Sequence, residues 1–168
     1  MTMYYEEMKH EKENKAYVRR FYEEFFNERH HDAIDEMFLP SYVHHTTEAA
    51  EEKMNFEEYR EHMLLLARAF PHMKVVLEDL IAEENKVTAR YTMYGIQEQD
   101  LPGIPAKGKQ IKVEVITIVR MQDGKMAEGW ECYDSLDMAM QLGIVQIVST
   151  LEKGPQEKGY FPEGEYNV

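Results

Sequence analysis

Apolar residues recur at helical spacing from Asn14 to Asn27, where Tyr17, Val18, Phe21, Tyr22 and Phe25 share one side and charge takes the other. The pattern predicts an amphipathic helix lying on a core, preceded by a charged extension over residues 1–13. A second, short helix over "HDAIDEMF" ends before Pro40. The third, "NFEEYREHMLLLARAF", opens on Asn55 with Glu58 three residues on, a capping-box pattern, and stops before Pro71. The pattern then changes to that of strands. "MKVVLEDLIAEE", "KVTARYTMYG", "QIKVEVITIVRM" and "KMAEGWECYD" read as strands, separated by "EENK", a long Gly/Pro loop and "QDGK". A closing helix, "SLDMAMQL", ends at Gly143. Helices first and an antiparallel meander after predict a single α+β domain over 1–143, its three main helices packed on one face of a bent sheet. Over 144–168, a segment with Ile144, Ile147, Val148 and Leu151 on one helical face is followed by a loosely held tail.

Alternation along the strands assigns side chains to faces. In the strand at 111–120, Ile111, Val113, Val115, Thr117 and Val119 form one face, nearly all apolar. Lys112, Glu114, Ile116, Ile118 and Arg120 form the other, polar at its ends and apolar in the middle. With the first face against the helices, Ile116 and Ile118 look outward, which predicts a second layer there, most simply a second copy of the chain. In the last strand Trp130, Cys132 and Asp134 share one face, Glu131 and Tyr133 the other. Taking Trp130 as inward puts the Asp134 carboxylate beside a large aromatic on the core side, a costly placement unless the group is paired or its pKa shifts.

Composition narrows the partners. A net charge of −13 disfavours nucleic acid and anionic membrane surfaces. The start is charged with no apolar centre, so no secretory signal is expected, and no apolar run is long enough to span a membrane. The single cysteine, Cys132, excludes an internal disulfide and a cysteine cluster for zinc, and fits a cytoplasmic setting.

The order of these pieces resembles the SnoaL-like polyketide cyclase family, which has the cone-shaped α+β fold of ketosteroid isomerase and nuclear transport factor two. The resemblance runs from about Asn14 to Gly143, through "NKAYVRRFYEEFFN", "SYVHHT", "AFPHMKVVLEDLIAEENKVTARYTMYG", "LPGIPAKGKQI", "RMQDGKMAEGW" and "DSLDMAMQLG". It implies a cofactor-free intramolecular aldol closure in which one aspartate removes and returns a proton. The position matching that aspartate is Asp134, and the histidine of the family's Y-V-x-H pattern falls on His45. The chain departs from the family at Ile96 and Gln97, where many relatives carry Thr-His, and at Thr117, where an acid is frequent.

Each candidate has a plainer alternative. Asp134 serves as general base, or only as the N-cap of the helix that follows. His45 donates to a developing enolate oxygen, or is a structural histidine; His44, on the opposite side of an extended segment, is expected to face solvent. Trp130 is expected as core and pocket wall together, and Tyr22 offers its hydroxyl to a ligand or merely packs. Gln97 and Thr117 are carried as substrate-binding positions. So is Arg90, which as an inward arginine calls for a carboxylate on an adjacent strand. Cys132 reads as a small buried hydrophobe. His30 and His31 lie in a charged turn without metal-ligand spacing, so no metal is expected. Three functions compete: a metal-free and cofactor-free cyclase or isomerase acting on a small carbonyl compound, a non-catalytic module binding an apolar ligand, and an interaction domain. A homodimer through the outer sheet face is expected in each.

Overall fold

In a computed structural model that describes residues 2–46 and 53–146, Asp123 and Gly124 both take positive φ, 51° and 73°. Two such residues make the type I′ turn that matches the twist of a tight hairpin. They join β5 (Gln110–Gln122) to β6 (Lys125–Tyr133). The ladder opens in register, Gln122 against Lys125 and Met121 against Met126, and then slips by one residue so that Arg120 meets Glu128. A β-bulge of this kind inserts an extra residue into one strand and shifts every later side chain to the other face. Without it Thr117 would have faced Trp130. With it, Thr117 pairs with Glu131 and Ile118 with Trp130.

The remaining elements build around this hairpin. In chain order they are α1 (Thr2–Tyr22), a single π-helical turn (Glu23–Asn27), α2 (Ala33–Met37), β1 (Phe38–His45), β2 (Lys53–Asn55), α3 (Phe56–Ala69), β3 (Lys74–Glu83), β4 (Lys86–Ile96), the hairpin, and α4 (Ser135–Gln141). The four strands expected from the sequence are β3 to β6. Two more join them, giving a six-stranded open sheet in the order β2-β1-β6-β5-β4-β3. All pairs are antiparallel except β1 with β6, so the sheet is mixed rather than the simple meander expected. The first helix starts earlier than its apolar pattern, with the charged extension forming its opening turns. The segment expected over 144–168 lies, beyond residue 146, outside the described residues.

Val18, Phe21, Tyr22 and Phe25 press onto Val87, Ala89, Ile111 and Val113, and all are buried. Burying aromatic and branched side chains at this density contributes about 1.5–3 kcal/mol each, and this layer holds the helices to the concave face. The capping box at the start of α3 forms as expected: the Glu58 amide donates to Asn55 Oδ1 at 3.1 Å, and the Asn55 amide to Glu58 Oε2 at 2.8 Å. Two side-chain amides extend the sheet where strands run out. Asn27 donates to the Val75 carbonyl at 3.0 Å and accepts from its N–H at 2.9 Å, covering the β3 edge. Gln141 does the same to Lys112, at 2.9 and 2.7 Å, and so clips α4 onto β5.

The outer face carries Ile116, Ile118, Trp130 and Cys132. Ile116 is 49% exposed and Ile118 39%, as the alternation of β5 predicted. Cys132 is exposed as well, not the buried hydrophobe expected, because the bulge in β6 turns it outward with Trp130. Arg90 is also outside: opposite Ile116 in the ladder, it donates from Nε to Asp79 Oδ2 on β3 at 2.7 Å. Its expected partner on a neighbouring strand exists, but the pair sits in solvent, away from the concave side.

Candidate functional site

Between the sheet's concave face, α1, α3 and α4 lies a cavity of about 380 Å³. Its walls are mostly aromatic and thioether side chains, among them Phe26, Tyr59, Tyr133, Met63 and Met93. Leu101, Pro102 and Ile104, from the Gly/Pro loop, line it too. That loop is tied down beneath by Gln97, which is fully buried. Its side-chain amide donates to the Ile104 carbonyl at 3.3 Å, and its main chain pairs with Lys109 and Gly108. Gln97 does not line the cavity; it holds part of the wall that does.

One carboxylate, Glu131, reaches the cavity among the described lining residues. It is there because the bulge gives Glu131 and Tyr133 the parity of Thr117 and Val115. Tyr91 donates its hydroxyl to Glu131 Oε2 at 3.2 Å. The Tyr91 ring lies 4.7 Å from that of Tyr22, whose hydroxyl shares a 2.7 Å hydrogen bond with Thr117 Oγ1. Burial first, with the Glu131 charge adding to it, holds the Tyr22, Tyr42 and Tyr91 phenols well above their ordinary pKa; burial does the same for Tyr59. All four phenols therefore keep their protons at neutral pH and can act as donors.

The second polar group is His44. Paired with Gly129 in the parallel β1–β6 ladder, it faces inward, contrary to the solvent-facing position expected. Its ring stacks on Tyr59 with centroids 4.5 Å apart, and its Nδ1 is 3.1 Å from the Tyr42 hydroxyl. Burial, aided by the nearby His62 and His45, pulls its pKa down to about 4, so the ring is neutral. Gly129 makes this packing possible: a Cβ there would overlap the Tyr42 hydroxyl. His62 and Ser135 also line the cavity, at exposed positions near its mouth.

The two residues matched to the family's catalytic positions lie elsewhere. Asp134 is exposed and is the N-cap of α4, its Oδ1 accepting from the Asp137 amide at 2.8 Å. His45 stacks flat on Trp130 on the outer face, with centroids 5.0 Å apart and 5° between the planes. Its Nε2 is 2.8 Å from Glu128 Oε1, and Arg120 donates to the other Glu128 oxygen at 3.0 Å. Trp130 is thus no wall of the large cavity. Tyr22 lines it, and Thr117 sits buried just below.

The model of SnoaL-like polyketide cyclases matches residues 16–142. The chain belongs to the SnoaL-like polyketide cyclase family. Over 88 residues, 51% of this chain and 55% of the relative, it is 33% identical to aklanonic acid methyl ester cyclase DnrD of Streptomyces peucetius. The same identity and share of this chain hold for DauD, of the same name, from Streptomyces sp. strain C5. The chain spans about half the length of these curated relatives. Among solved structures, TsrD from Streptomyces laurentii is 31% identical with a TM-score of 0.64, over 77% of this chain and 97% of that one. AclR from Streptomyces galilaeus has a TM-score of 0.72 at 20% identity, over 81% and 99% of the two chains, which shows the fold. The SnoaL-like fold thus accounts for the cone, while the parity of β6 in this chain decides which side chains enter it.

Proposed function

We propose that this SnoaL-like chain is a cofactor-free cyclase acting on a carbonyl-bearing, polyketide-like compound, with Glu131 rather than Asp134 as the proton shuttle. The observation that carries the reading is the placement of Glu131: a carboxylate held by the Tyr91 hydroxyl against an otherwise largely apolar cavity of about 380 Å³. In such a site the carboxylate takes a proton from a carbon flanked by carbonyl groups. The resulting enolate carbon attacks a second carbonyl of the same molecule, forming a carbon–carbon bond. The new alkoxide takes the proton back from Glu131, so nothing is oxidised or lost. The neutral His44 ring bears on the oxygen where charge develops, and the tyrosine hydroxyls hold Glu131 and His44 in place. The names of DnrD and DauD, ester cyclases acting on aklanonic acid methyl ester, support an ester of this kind as substrate.

One observation favours a second reading, a non-catalytic module for apolar ligands: the aspartate expected to do the chemistry is spent on capping α4. A tricyclic aromatic β-keto ester in D₂O separates the two. Accelerated exchange of its acidic C–H, followed by NMR, is expected of the cyclase. Binding without exchange would instead establish the module.

The outer face supports a homodimer. Ile116 and Ile118 lie at its centre, and every residue there occurs twice about a twofold axis. Replacing both with Asp is expected to shift sedimentation from dimer to monomer with helical circular dichroism intact. A folded double variant that sediments like the unaltered chain would exclude this interface.

A further inference from the structure

Tyr42 and His44 lie two residues apart on β1 and so face the same way, into the cone. Tyr42 is 3% exposed, and its hydroxyl lies 3.1 Å from His44 Nδ1 and is also hydrogen-bonded to the Tyr59 hydroxyl. A hydroxyl and a neutral imidazole can share this bond in two ways. If Nδ1 carried the proton and donated, Tyr42 would have to turn its own proton to Tyr59, and the buried Tyr59 hydroxyl would lose Tyr42 as its acceptor. Such an orphaned donor carries a substantial desolvation penalty. If Tyr42 donates, its proton is satisfied, Nδ1 is the acceptor, and the ring's own proton must sit on Nε2.

The surroundings hold that arrangement. Gly129 leaves the space the Tyr42 hydroxyl occupies, and Tyr59 packs against both rings, with centroids 5.1 Å from Tyr42 and 4.5 Å from His44. His44 lines the cavity, and its Nε2 has no partner among the described residues. We propose that Tyr42 is a positioning residue that fixes His44 as the Nε2–H tautomer, making His44 a hydrogen-bond donor to an acceptor oxygen of the ligand and unable to serve as the base. The inference rests on the cyclase reading for its chemical use, since an enolate oxygen is the acceptor such a donor would meet. It divides the labour: Glu131 moves the proton, and His44 holds the oxygen.

The test reads the tautomer directly and needs no substrate. In the full chain labelled with ¹⁵N-histidine, long-range ¹H–¹⁵N correlation at pH 7 distinguishes a protonated ring nitrogen from a bare one, and His44→Gln identifies the resonances. A protonated Nε2 and bare Nδ1 are expected for His44. The reverse pattern overturns the proposal, whatever becomes of Tyr42 variants. Tyr42→Phe is expected to give a mixture of tautomers, because the lock is gone while the ring still packs. A Tyr42→Phe protein with His44 still wholly Nε2–H would show that something else sets the tautomer. In the exchange assay, Tyr42→Phe should cost about tenfold, and adding it to His44→Gln should cost nothing more, since the two act as a unit. Costs that multiply would overturn the coupling. Loss of exchange in Glu131→Gln belongs to the cyclase reading alone and leaves the tautomer result standing.

Discussion

Glu131→Gln is expected to slow C–H exchange of a bound β-keto ester by about 10²–10⁴-fold, the range a positioned general base supplies. The amide keeps the shape of the side chain and an oxygen that can still accept from the Tyr91 hydroxyl, now 3.2 Å from Oε2. Packing and ligand affinity should therefore change little, and the loss should fall on the chemical step. Asp134→Asn is the matching control. Asparagine caps helices as well as aspartate does, and the group lies outside the cavity, so exchange and stability should both persist. Exchange kinetics for the two variants side by side decide the matter. A Glu131→Gln protein with undiminished exchange, or an Asp134→Asn protein without it, would return the role to Asp134.

Acid should weaken the fold through His44 before it reaches the carboxylates. Burial holds this ring's pKa down to about 4, against an ordinary value of 6.5, so the folded chain resists a proton that the unfolded chain accepts. Between those two pH values the unfolded state binds more protons, and stability rises with pH across that window. It is lost as pH falls from about 6.5 towards about 4, by at most about 3 kcal/mol. His31 shifts in the same direction, also through burial, and adds to the slope. Glu128, Asp35 and Glu24 are held below the ordinary carboxylate range by hydrogen bonds to His45, Arg60 and Arg20, so their contributions are lost at lower pH. Urea unfolding at pH 7 and pH 5 checks this. The unaltered chain should lose more stability between them than His44→Gln does. Equal losses would mean that His44 titrates freely in the folded state.

Much of the cone was legible because its elements carry local signals. The apolar stripe of α1, the Asn55–Glu58 box and the Asp-Gly turn each depend on residues close in sequence, and each stands where the pattern put it. The expectation for Ile116 and Ile118 held because β5 alternates without interruption against β4. The site was far less legible. Alternation correctly separated Glu131 and Tyr133 from Trp130 and Cys132, but which pair faces inward hangs on one bulged residue in β6. No glycine or proline sits at Met126 or Ala127 to announce it; both are simply buried. The hint lay in Gly129, a residue without a side chain in a strand otherwise full of large ones, which often marks close approach of another group. The family pattern pointed to Asp134 and His45 by position along the chain, whereas β1 and β6 present His44 and Glu131 to the cavity.

The π-helical turn at Glu23–Asn27 has a bearing on how such a pocket could diversify. Two consecutive residues are buried in it, Phe25 in the core and Phe26 at the cavity, where Phe26 stacks on Tyr22 at 6.0 Å. Residues four apart share one side of a regular helix as well, so this stack does not require the π turn; the extra residue sets instead how the chain leaves the helix, where the His30 amide donates to the Glu24 carbonyl at 2.8 Å. A change of chain length at this turn would therefore be taken up first in the loop before α2, apart from the sheet that carries Glu131 and His44, so the helical layer over the cavity can vary while the chemistry stays mounted.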